Sequence, residues 1–307
     1  MSRTAFLFPG QGSQAVGMGR EFYQRSPKAK ELVERADRIL GFPLSRLCFE
    51  GPEEELKLTR NTQPALLLVS TLAYSLLDRE PDIAAGHSLG EYSALVAAGV
   101  LAFEDAVLLV HKRGRYMQEA VPVGEGAMAA VIGLDLDQVR EGLAQVRSGI
   151  VEVANWNSRE QIVISGHKPA VESALEILKA PRSVLLPVSA PFHSSLMKSA
   201  EERLAADLDR TEFRDPKFPV VTNVDARPIR SGAEARDALK RQVSRPVLWQ
   251  ASMDALHLEG VDRFVEVGSG KVLATLIKRI ARPWGVPVTV LSADGWEAVE
   301  QTRAALS

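Results

Sequence analysis

The 307-residue sequence predicts an α/β protein in which a small domain interrupts a larger one that has a mostly parallel sheet. Apolar runs of strand length alternate with segments of helical periodicity, and parallel strands need such crossover helices. The composition changes to a Pro/Gly-rich stretch at residues 121–126, and buried-strand patterns resume after Pro191. We therefore expect a discontinuous large domain of residues 1–123 and 191–307, with a small domain of residues 124–190 between its halves.

The large domain is predicted from short apolar strands that are followed by turns or helices. Residues 4–8 form an apolar run closed by Pro9-Gly10, and residues 82–85 form a second run that leads into an alanine-rich helix at 89–98. Further elements are expected as helices at 28–40, 65–77 and 106–120 and strands at 220–224 and 264–267.

The small domain is predicted from a compact alternation of strands and helices. Strands are expected at residues 127–132, 151–156, 161–165 and 183–187, with helices at 135–146 and 169–178. This βαββαβ order is the ferredoxin-like arrangement.

The bulk composition excludes several classes of partner. The net charge of −2 and the pI near 6.3 provide no broad positive field for nucleic acid or an anionic membrane. Cys48 is the only cysteine, which excludes an internal disulfide and a cysteine-based metal cluster, and its apolar neighbours favour burial. The sequence lacks an N-terminal signal pattern, and its most apolar segment, 65–77, is too short to span a bilayer. We expect a cytoplasmic protein.

Residues 86–90, Gly-His-Ser-Leu-Gly, match the G-x-S-x-G nucleophile elbow of hydrolase-like α/β domains. A strand is predicted before the motif and a helix after it, so Ser88 would lie at a helix N-terminus, where developing negative charge is stabilised. The alternative is a glycine-rich turn with a capping serine. The flanking strand and helix favour Ser88 as a nucleophile.

A nucleophilic serine needs a base, and His193 is the preferred candidate among five histidines. His193 lies where the chain re-enters the large domain, next to the cleft between the domains. His87 adjoins Ser88, and because adjacent strand residues face opposite ways it should point away. No acidic residue between Ser88 and His193 stands out as a triad member, so a Ser–His dyad oriented by a main-chain carbonyl is expected. A structural histidine is the alternative.

Arg113 is the candidate for substrate recognition. On the helix predicted at 106–120 it lies on the apolar stripe of Ala106, Val110 and Met117. A buried arginine needs an anion or other acceptors, and a guanidinium suits bidentate capture of a carboxylate. The alternative is an ion pair with a carboxylate of the protein.

Several short segments together resemble the malonyl-CoA:acyl carrier protein transacylases, and the resemblance runs nearly end to end. They are residues 8–14 (FPGQGSQ), 61–65 (NTQPA), 86–92 (GHSLGEY), 117–120 (MQEA), 126–130 (GAMAA), 191–193 (PFH) and 266–270 (EVGSG).

The resemblance implies that Ser88 is acylated, that His193 is its base and that Arg113 binds the malonyl carboxylate. It implies that the main-chain N–H groups of Gln11 and Leu89 form the oxyanion hole.

The resemblance also implies roles for residues around this centre. A carbonyl of the segment Pro246-Val247-Leu248-Trp249, that of Leu248, would steady the histidine. Residues near the substrate would be Gln63, Met117, Asn155 and Gln161. Leu89 and Phe192 resemble the malonyl-selective pattern of polyketide synthase acyltransferase domains, whose methylmalonyl-selective members have a smaller residue at the position of Phe192.

The implied function is transfer of a malonyl group from malonyl-CoA to the phosphopantetheine thiol of acyl carrier protein, for fatty acid biosynthesis. The route would be ping-pong through malonyl-serine, without a metal or tightly bound cofactor, and the enzyme is expected to be a monomer. One alternative is a serine thioesterase or esterase with the same elbow. A second alternative is a non-catalytic subunit that binds carrier protein.

A carrier-protein docking stripe is predicted on an amphipathic helix at residues 271–282. Leu273, Leu276, Ile277 and Ile280 would face the core. The opposite face would present Lys271, Lys278 and Arg282 to an acidic partner. The alternative is an ordinary solvated face.

Overall fold

Two β-sheets form the framework of the chain, and the computed structural model describes residues 2–188 and 190–306 of it. The strands of these residues are β1 (Arg3–Phe8), β2 (Ile83–Gly86), β3 (Gly126–Ile132), β4 (Val151–Ser158), β5 (Gln161–His167), β6 (Arg182–Leu185), β7 (Val220–Val221), β8 (Pro228–Ile229), β9 (Val261–Val267) and β10 (Thr289–Ala293).

The helices of the same residues pack around these sheets. They are α1 (Arg20–Arg25), α2 (Pro27–Leu40), α3 (Leu44–Glu50), α4 (Glu53–Lys57), α5 (Thr59–Leu77), α6 (Leu89–Ala97), α7 (Phe103–Glu119), α8 (Leu136–Leu143), α9 (Lys168–Leu178), α10 (Lys198–Asp209), α11 (Gly232–Gln242), α12 (Trp249–Leu258), α13 (Val272–Ile280) and α14 (Trp296–Leu306).

The first sheet has the strand order β10-β9-β1-β2-β7-β8 and is parallel except for β8, which is antiparallel to β7. Alternate residues of β1 supply two cores. Phe6 and Phe8 pack with the apolar residues of α5, α6 and α7, and Ala5 and Leu7 pack with those of α12 and α13. Strands covered on both faces are apolar throughout, which explains why the strand patterns in the sequence are continuous rather than alternating. The predicted α/β fold with a mostly parallel sheet is confirmed.

The second sheet is antiparallel, with the order β4-β5-β3-β6, and all its strands come from residues 126–185. One face of β3, formed by Ala127, Ala129 and Val131, packs against α8 and α9. The other face, with Met128 and Ala130, joins the core that contains α5 to α7. The period of two in β3 therefore places Met128 next to the functional centre described below.

Several element boundaries differ from the prediction. The helix predicted at 135–146 ends at Leu143, and the one predicted at 271–282 is shortened to Val272–Ile280, so that Lys271 and Arg282 lie just outside it. The strand predicted at 183–187 is Arg182–Leu185. Position 189 lies outside the described residues.

Two further features of the structure agree with the sequence patterns. Cys48 is fully buried, and burial raises the pKa of its thiol to about 12, so it is a poor nucleophile. Within residues 2–188 and 190–306, no helix is both long enough and apolar enough to cross a membrane.

Candidate active site

The turn between β2 and α6 presents Ser88 at the edge of the parallel sheet. Ser88 has φ 51° and ψ −106°, a conformation that L-residues rarely adopt, and it directly precedes the first turn of α6. A Cβ on Gly86 would lie 1.9 Å from the carbonyl carbon of Gly90, and one on Gly90 would lie 1.9 Å from the carbonyl oxygen of Phe8. Both glycines are therefore required for strand and helix to approach so closely.

Ser88 and His193 are in direct contact. The Ser88 hydroxyl lies 2.7 Å from His193 Nε2, and His193 Nδ1 lies 2.9 Å from the main-chain carbonyl oxygen of Gln242. Because a carbonyl can only accept, Nδ1 carries the proton and Nε2 is left to accept the serine proton. Burial, and then the positive charge of Arg113, lower the pKa of His193 to about 3, so the ring is neutral at neutral pH.

The carbonyl that orients His193 is that of Gln242, whereas the resemblance implied that of Leu248. Leu248 precedes α12, and its carbonyl oxygen accepts from the main-chain N–H of Ser252 at 2.9 Å. Gln242 is the last residue of α11, where a carbonyl has no partner within its own helix. The free carbonyl at the end of α11 therefore meets the histidine ring.

Arg113 projects from α7 towards the same centre and is only 1% exposed. Its NH1 donates to Gln63 Oε1 at 2.8 Å, while NH2 donates to Gln242 Oε1 at 3.0 Å and to Ser88 Oγ at 3.2 Å. All these acceptors are neutral oxygens, and among the described residues no carboxylate lies within ion-pair distance of Arg113. Its Nε has no hydrogen-bond partner there either. The arrangement disfavours the ion-pair alternative and leaves a buried cation beside the serine.

Two polar residues that the sequence analysis missed complete this centre. The Oδ1 of Asn223 accepts from the main-chain N–H of Ser88 at 2.7 Å, and its Nδ2 donates to the carbonyl of Gly86 at 2.7 Å, which ties the turn together. The Nε2 of Gln242 donates to the carbonyl of Ser88 at 3.0 Å and to Oε2 of the buried Glu91 at 2.8 Å. Glu91 follows the G-x-S-x-G motif directly, and no local pattern marks Asn223 or Gln242.

The two residues expected to form the oxyanion hole, Gln11 and Leu89, line the cavity that contains Ser88. Gln11 lies in the loop after β1, and Leu89 is the first residue of α6. Within residues 2–188 and 190–306, no recorded hydrogen bond uses the N–H of either residue. The first N–H groups of a helix lack intrahelical acceptors, so the Leu89 donor is available to an oxyanion.

The cavity has a volume of about 120 Å³, which suits a short acyl group rather than a long chain. It contains most of the residues expected near the substrate, namely Gln63, Met117, Asn155 and Phe192. Met128, Leu186 and Val188 also line it.

Gln161, also expected near the substrate, does not line the cavity that contains Ser88. Gln161 is the first residue of β5 and pairs with Ser158 at the turn of the β4–β5 hairpin, whereas Asn155 pairs with Val163 further along. Its side chain accepts a hydrogen bond from Arg279 NH1 at 3.4 Å, and it lines a different surface pocket. The register of the hairpin therefore separates it from Asn155 and from the cavity.

His87 also lines the cavity, although its place beside Ser88 predicted that it points away. The chain leaves strand geometry at the turn, so the alternation of side chains no longer holds. The Nε2 of His87 lies 2.8 Å from Asn157 Oδ1, and the ring packs against that of Trp249. Within the described parts of the chain, no group of three or more His, Cys, Asp or Glu residues could hold a metal ion.

Comparison with known proteins defines the class to which this fold and site belong. The acyl transferase domain family matches residues 5–291, so the chain belongs to that family and is an acyltransferase. The malonyl CoA-acyl carrier protein transacylase of Bacillus subtilis (strain 168) is 49% identical over 290 residues, which cover 92% of each chain. That of Escherichia coli (strain K12) is 48% identical over 288 residues, 91% of this chain and 93% of the other.

Solved structures agree with the sequence relatives. The malonyl CoA-acyl carrier protein transacylase of Coxiella burnetii superposes with a TM-score of 0.95 at 41% identity, covering 99% of this chain and 98% of that one. A malonyl-transacylase in complex with a type II PKS acyl-carrier protein has a TM-score of 0.95 at 41% identity, covering 99% and 100% of the two chains. Within the acyltransferases, this protein is a member of the malonyl CoA-acyl carrier protein transacylase family.

Proposed function

We propose that this protein transfers malonyl groups from malonyl-CoA to the phosphopantetheine thiol of acyl carrier protein, through a malonyl-Ser88 intermediate, for fatty acid biosynthesis. The observation that carries the proposal is the contact of the Ser88 hydroxyl with both His193 and the buried Arg113. The names of the relatives and the carrier-protein complex of a structural neighbour support the same substrates.

In the first half-reaction, Ser88 Oγ attacks the thioester carbonyl while His193 Nε2 accepts the hydroxyl proton. The N–H groups of Gln11 and Leu89 stabilise the tetrahedral oxyanion, and one such donor is worth about 3–4 kcal/mol. The C–S bond then breaks, and coenzyme A leaves with the proton from His193. In the second half-reaction, the carrier-protein thiol gives its proton to His193 and attacks the ester carbonyl. The bond between that carbon and Ser88 Oγ then breaks, and Oγ takes the proton back from His193.

The acyl specificity is assigned to Arg113. In malonyl-Ser88 the carboxylate carbon is three bonds from Oγ, and Arg113 NH2 lies 3.2 Å from that oxygen. A carboxylate on so short a tether reaches the guanidinium, which two amide oxygens, those of Gln63 and Gln242, hold in place. An acetyl group offers Arg113 nothing.

The proposal extends to the domain organisation. We assign residues 86–90 as a nucleophile elbow and residues 124–190 as a ferredoxin-like domain inserted between 1–123 and 191–307. The confinement of β3–β6, α8 and α9 to this segment supports the division.

The docking surface for the acidic carrier protein is assigned to Lys271, Lys278 and Arg282, all of which are exposed. The apolar side of α13, with Leu273, Leu276, Ile277 and Ile280, is buried, so the helix presents its polar side outwards. Lys271 lies 3.6 Å from Asp294, and Ser269, just before it, donates to the carbonyl of Ser13 in the loop that carries Gln11. The surface therefore adjoins a loop of the active site.

Reversal of these three cations to glutamate should raise the KM for carrier protein and leave malonylation by malonyl-CoA unchanged. The wild-type transfer rate should also fall with salt, because exposed charges are screened over about 10 Å at 0.1 M ionic strength. A matched control reverses three exposed cations on α2, α3 and α4: Arg38, Arg46 and Lys57. Equal effects of the two triple variants would move the docking surface elsewhere.

Mass spectrometry after incubation with malonyl-CoA tests the central proposal. Malonyl should be found on Ser88 and should be discharged by carrier-protein thiol faster than by water. The Ser88→Ala variant should keep its fold and acquire no malonyl group. Discharge to water alone would instead identify a thioesterase, and transfer by Ser88→Ala would overturn the mechanism.

A further inference from the structure

Glu91 is a carboxylate buried directly behind the nucleophile, in the first turn of α6, with no solvent exposure. Its Oε2 accepts from the main-chain N–H of Asn223 at 2.9 Å and from Gln242 Nε2 at 2.8 Å. Within the described residues its Oε1 is buried without a hydrogen-bond partner. The proposed steps of acyl transfer make no use of this group.

The side-chain amide of Gln242 connects Glu91 to Arg113. Its nitrogen donates to Glu91, and its oxygen accepts from Arg113 NH2 at 3.0 Å. Arg113 has no carboxylate partner in direct contact, and Glu91 is the carboxylate whose charge acts on it through space. With the acyl site empty, the buried centre thus holds one cation and one anion, separated by a single amide.

A malonyl group adds a second negative charge to this centre. Burying an unbalanced charge is costly, and proteins relieve the cost by neutralising a titratable group. The substrate carboxylate contacts Arg113 directly, whereas Glu91 reaches it only through Gln242 and has an unpartnered oxygen that can hold a proton. Glu91 is therefore the group that can be neutralised with least loss of hydrogen bonding.

We propose that Glu91 is a specificity-determining residue that balances the charge of Arg113 in the empty enzyme and takes up a proton when a malonyl carboxylate pairs with Arg113. The inference rests on the proposed function, because it needs a dicarboxylic acid monothioester as substrate. A neutral acyl group such as acetyl brings no charge and causes no proton uptake.

The surroundings of Glu91 bring its pKa close to neutral pH, so that it can take up a proton there. Burial raises the pKa of Glu91 to about 7, against the lowering effect of its hydrogen bonds and of Arg113. Asp225 raises it further but is itself paired with Arg241 at 2.7 Å. Tyr92 is neutral, since burial raises the pKa of its hydroxyl. Once malonyl offsets the charge of Arg113, the pKa of Glu91 must rise again.

The direction of the pH effect follows from this coupling. Malonyl binds more tightly to the form in which Glu91 is protonated, which is present below about pH 7. Above that pH a proton must be taken from solvent, so kcat/KM for malonyl-CoA falls by up to about tenfold per pH unit. The Glu91→Gln variant keeps an acceptor for Asn223 and Gln242 but has no charge to lose, and its profile should be flat.

Proton uptake during stoichiometric malonylation tests the proposal. Wild type, Glu91→Gln and a control, Glu266→Gln, are mixed with malonyl-CoA at pH 8 in weak buffer with a pH indicator, and malonyl-Ser88 is quantified by mass spectrometry. Glu266 is a matched control because it is also a buried carboxyl, and burial also raises its pKa to about 7. It lies elsewhere, however, and accepts hydrogen bonds from the main-chain N–H groups of Leu273 and Ala274 in α13. The released thiol contributes equally in all three proteins.

Wild type and Glu266→Gln should take up about one more proton per malonyl group than Glu91→Gln. Equal proton counts would overturn the inference and leave the proposed function intact. Absence of malonyl-Ser88 in wild type would overturn the proposed function, and the inference with it.

If Glu91→Gln does not fold, the wild-type protein still decides the question. Infrared difference spectra on malonylation, with glutamate carboxyls labelled with ¹³C, should then show a new isotope-sensitive band of a protonated carboxyl. A spectrum without that band would refute the proton uptake.

Discussion

The proposed role of Arg113 predicts that its replacement by alanine lowers the preference for malonyl-CoA over acetyl-CoA. The substitution removes the guanidinium that lies 3.2 Å from Ser88 Oγ and strips two buried amide oxygens, those of Gln63 and Gln242, of their donor. The malonyl carboxylate would then enter a buried site without a cation.

The magnitude follows from the burial of this group. Removing one partner of a fully desolvated, hydrogen-bonded charge pair costs about 2–5 kcal/mol. That corresponds to a loss of about 30- to 4,000-fold in kcat/KM for malonyl-CoA, at about 1.4 kcal/mol per factor of ten. For acetyl-CoA the substitution has two smaller effects of opposite sign. Loss of the cation near Ser88 lowers the rate, while loss of the charge that lowers the pKa of His193 makes His193 a stronger base and raises the rate. The acetyl-CoA rate should therefore change by less than about tenfold.

The assay is the ratio of kcat/KM for malonyl-CoA to that for acetyl-CoA, with release of coenzyme A as the signal for both. Arg115→Ala is the matched control, because Arg115 lies on the same helix, is about half exposed, and is 3.9 Å from Glu119. That variant should keep the wild-type ratio. Equal losses for both substrates in Arg113→Ala would show that the residue only supports the fold, and the assignment of specificity would be refuted.

Three further outcomes are expected. His193→Ala should slow acylation by about 10²–10⁴-fold in stopped-flow measurements. Because the pKa of His193 is about 3, the wild-type acylation rate should not fall between pH 7 and 5, and a decrease in that range would contradict the prediction. Phe192→Ser should raise the methylmalonyl-CoA to malonyl-CoA rate ratio, by no more than about 1–3 kcal/mol of discrimination, and an unchanged ratio would mean that Phe192 does not limit the pocket. The pKa of Glu266 is raised in the folded state, so its stabilising effect is present at low pH and lost as pH rises towards 7 and beyond. Glu266→Gln should therefore reduce the loss of unfolding free energy between pH 6 and 8 by about 1 kcal/mol. An unaltered pH dependence would show that Glu266 does not cause this loss of stability.

The residues that sequence reasoning could find are those with a local signal. Ser88 is marked by two glycines whose Cβ atoms would collide with backbone, and Arg113 by its place on an apolar stripe. His193 is marked by its place at the return to the large domain. The structure brings His193 and Arg113 within hydrogen-bonding distance of the Ser88 hydroxyl.

The elements and contacts that sequence reasoning missed depend on tertiary structure. Strand β8 has only two residues, too few for any periodicity to show, whereas β7 lies within the strand predicted at 220–224. The carbonyl that orients His193 belongs to the backbone, so the side chain at Gln242 gives no hint of it, and assignment by resemblance chose Leu248 instead. Gln161 was placed near the substrate by resemblance, whereas the register of the β4–β5 hairpin, which cannot be read from spacing alone, puts it at the hairpin turn.

Gln242 links catalysis and specificity in one residue. Its main-chain carbonyl orients the base, its side-chain oxygen holds Arg113, and its side-chain nitrogen holds the Ser88 carbonyl and Glu91. Because the amide has a donor end and an acceptor end, rotating it by half a turn would place an N–H group against the Arg113 guanidinium and an oxygen against the Glu91 carboxylate. Both contacts would be repulsive, so the two charged side chains fix the amide in one orientation. When Glu91 takes up a proton, Arg113 still fixes the orientation of the Gln242 amide. The site can therefore accept a carboxylate while the main-chain carbonyl of Gln242 continues to orient His193.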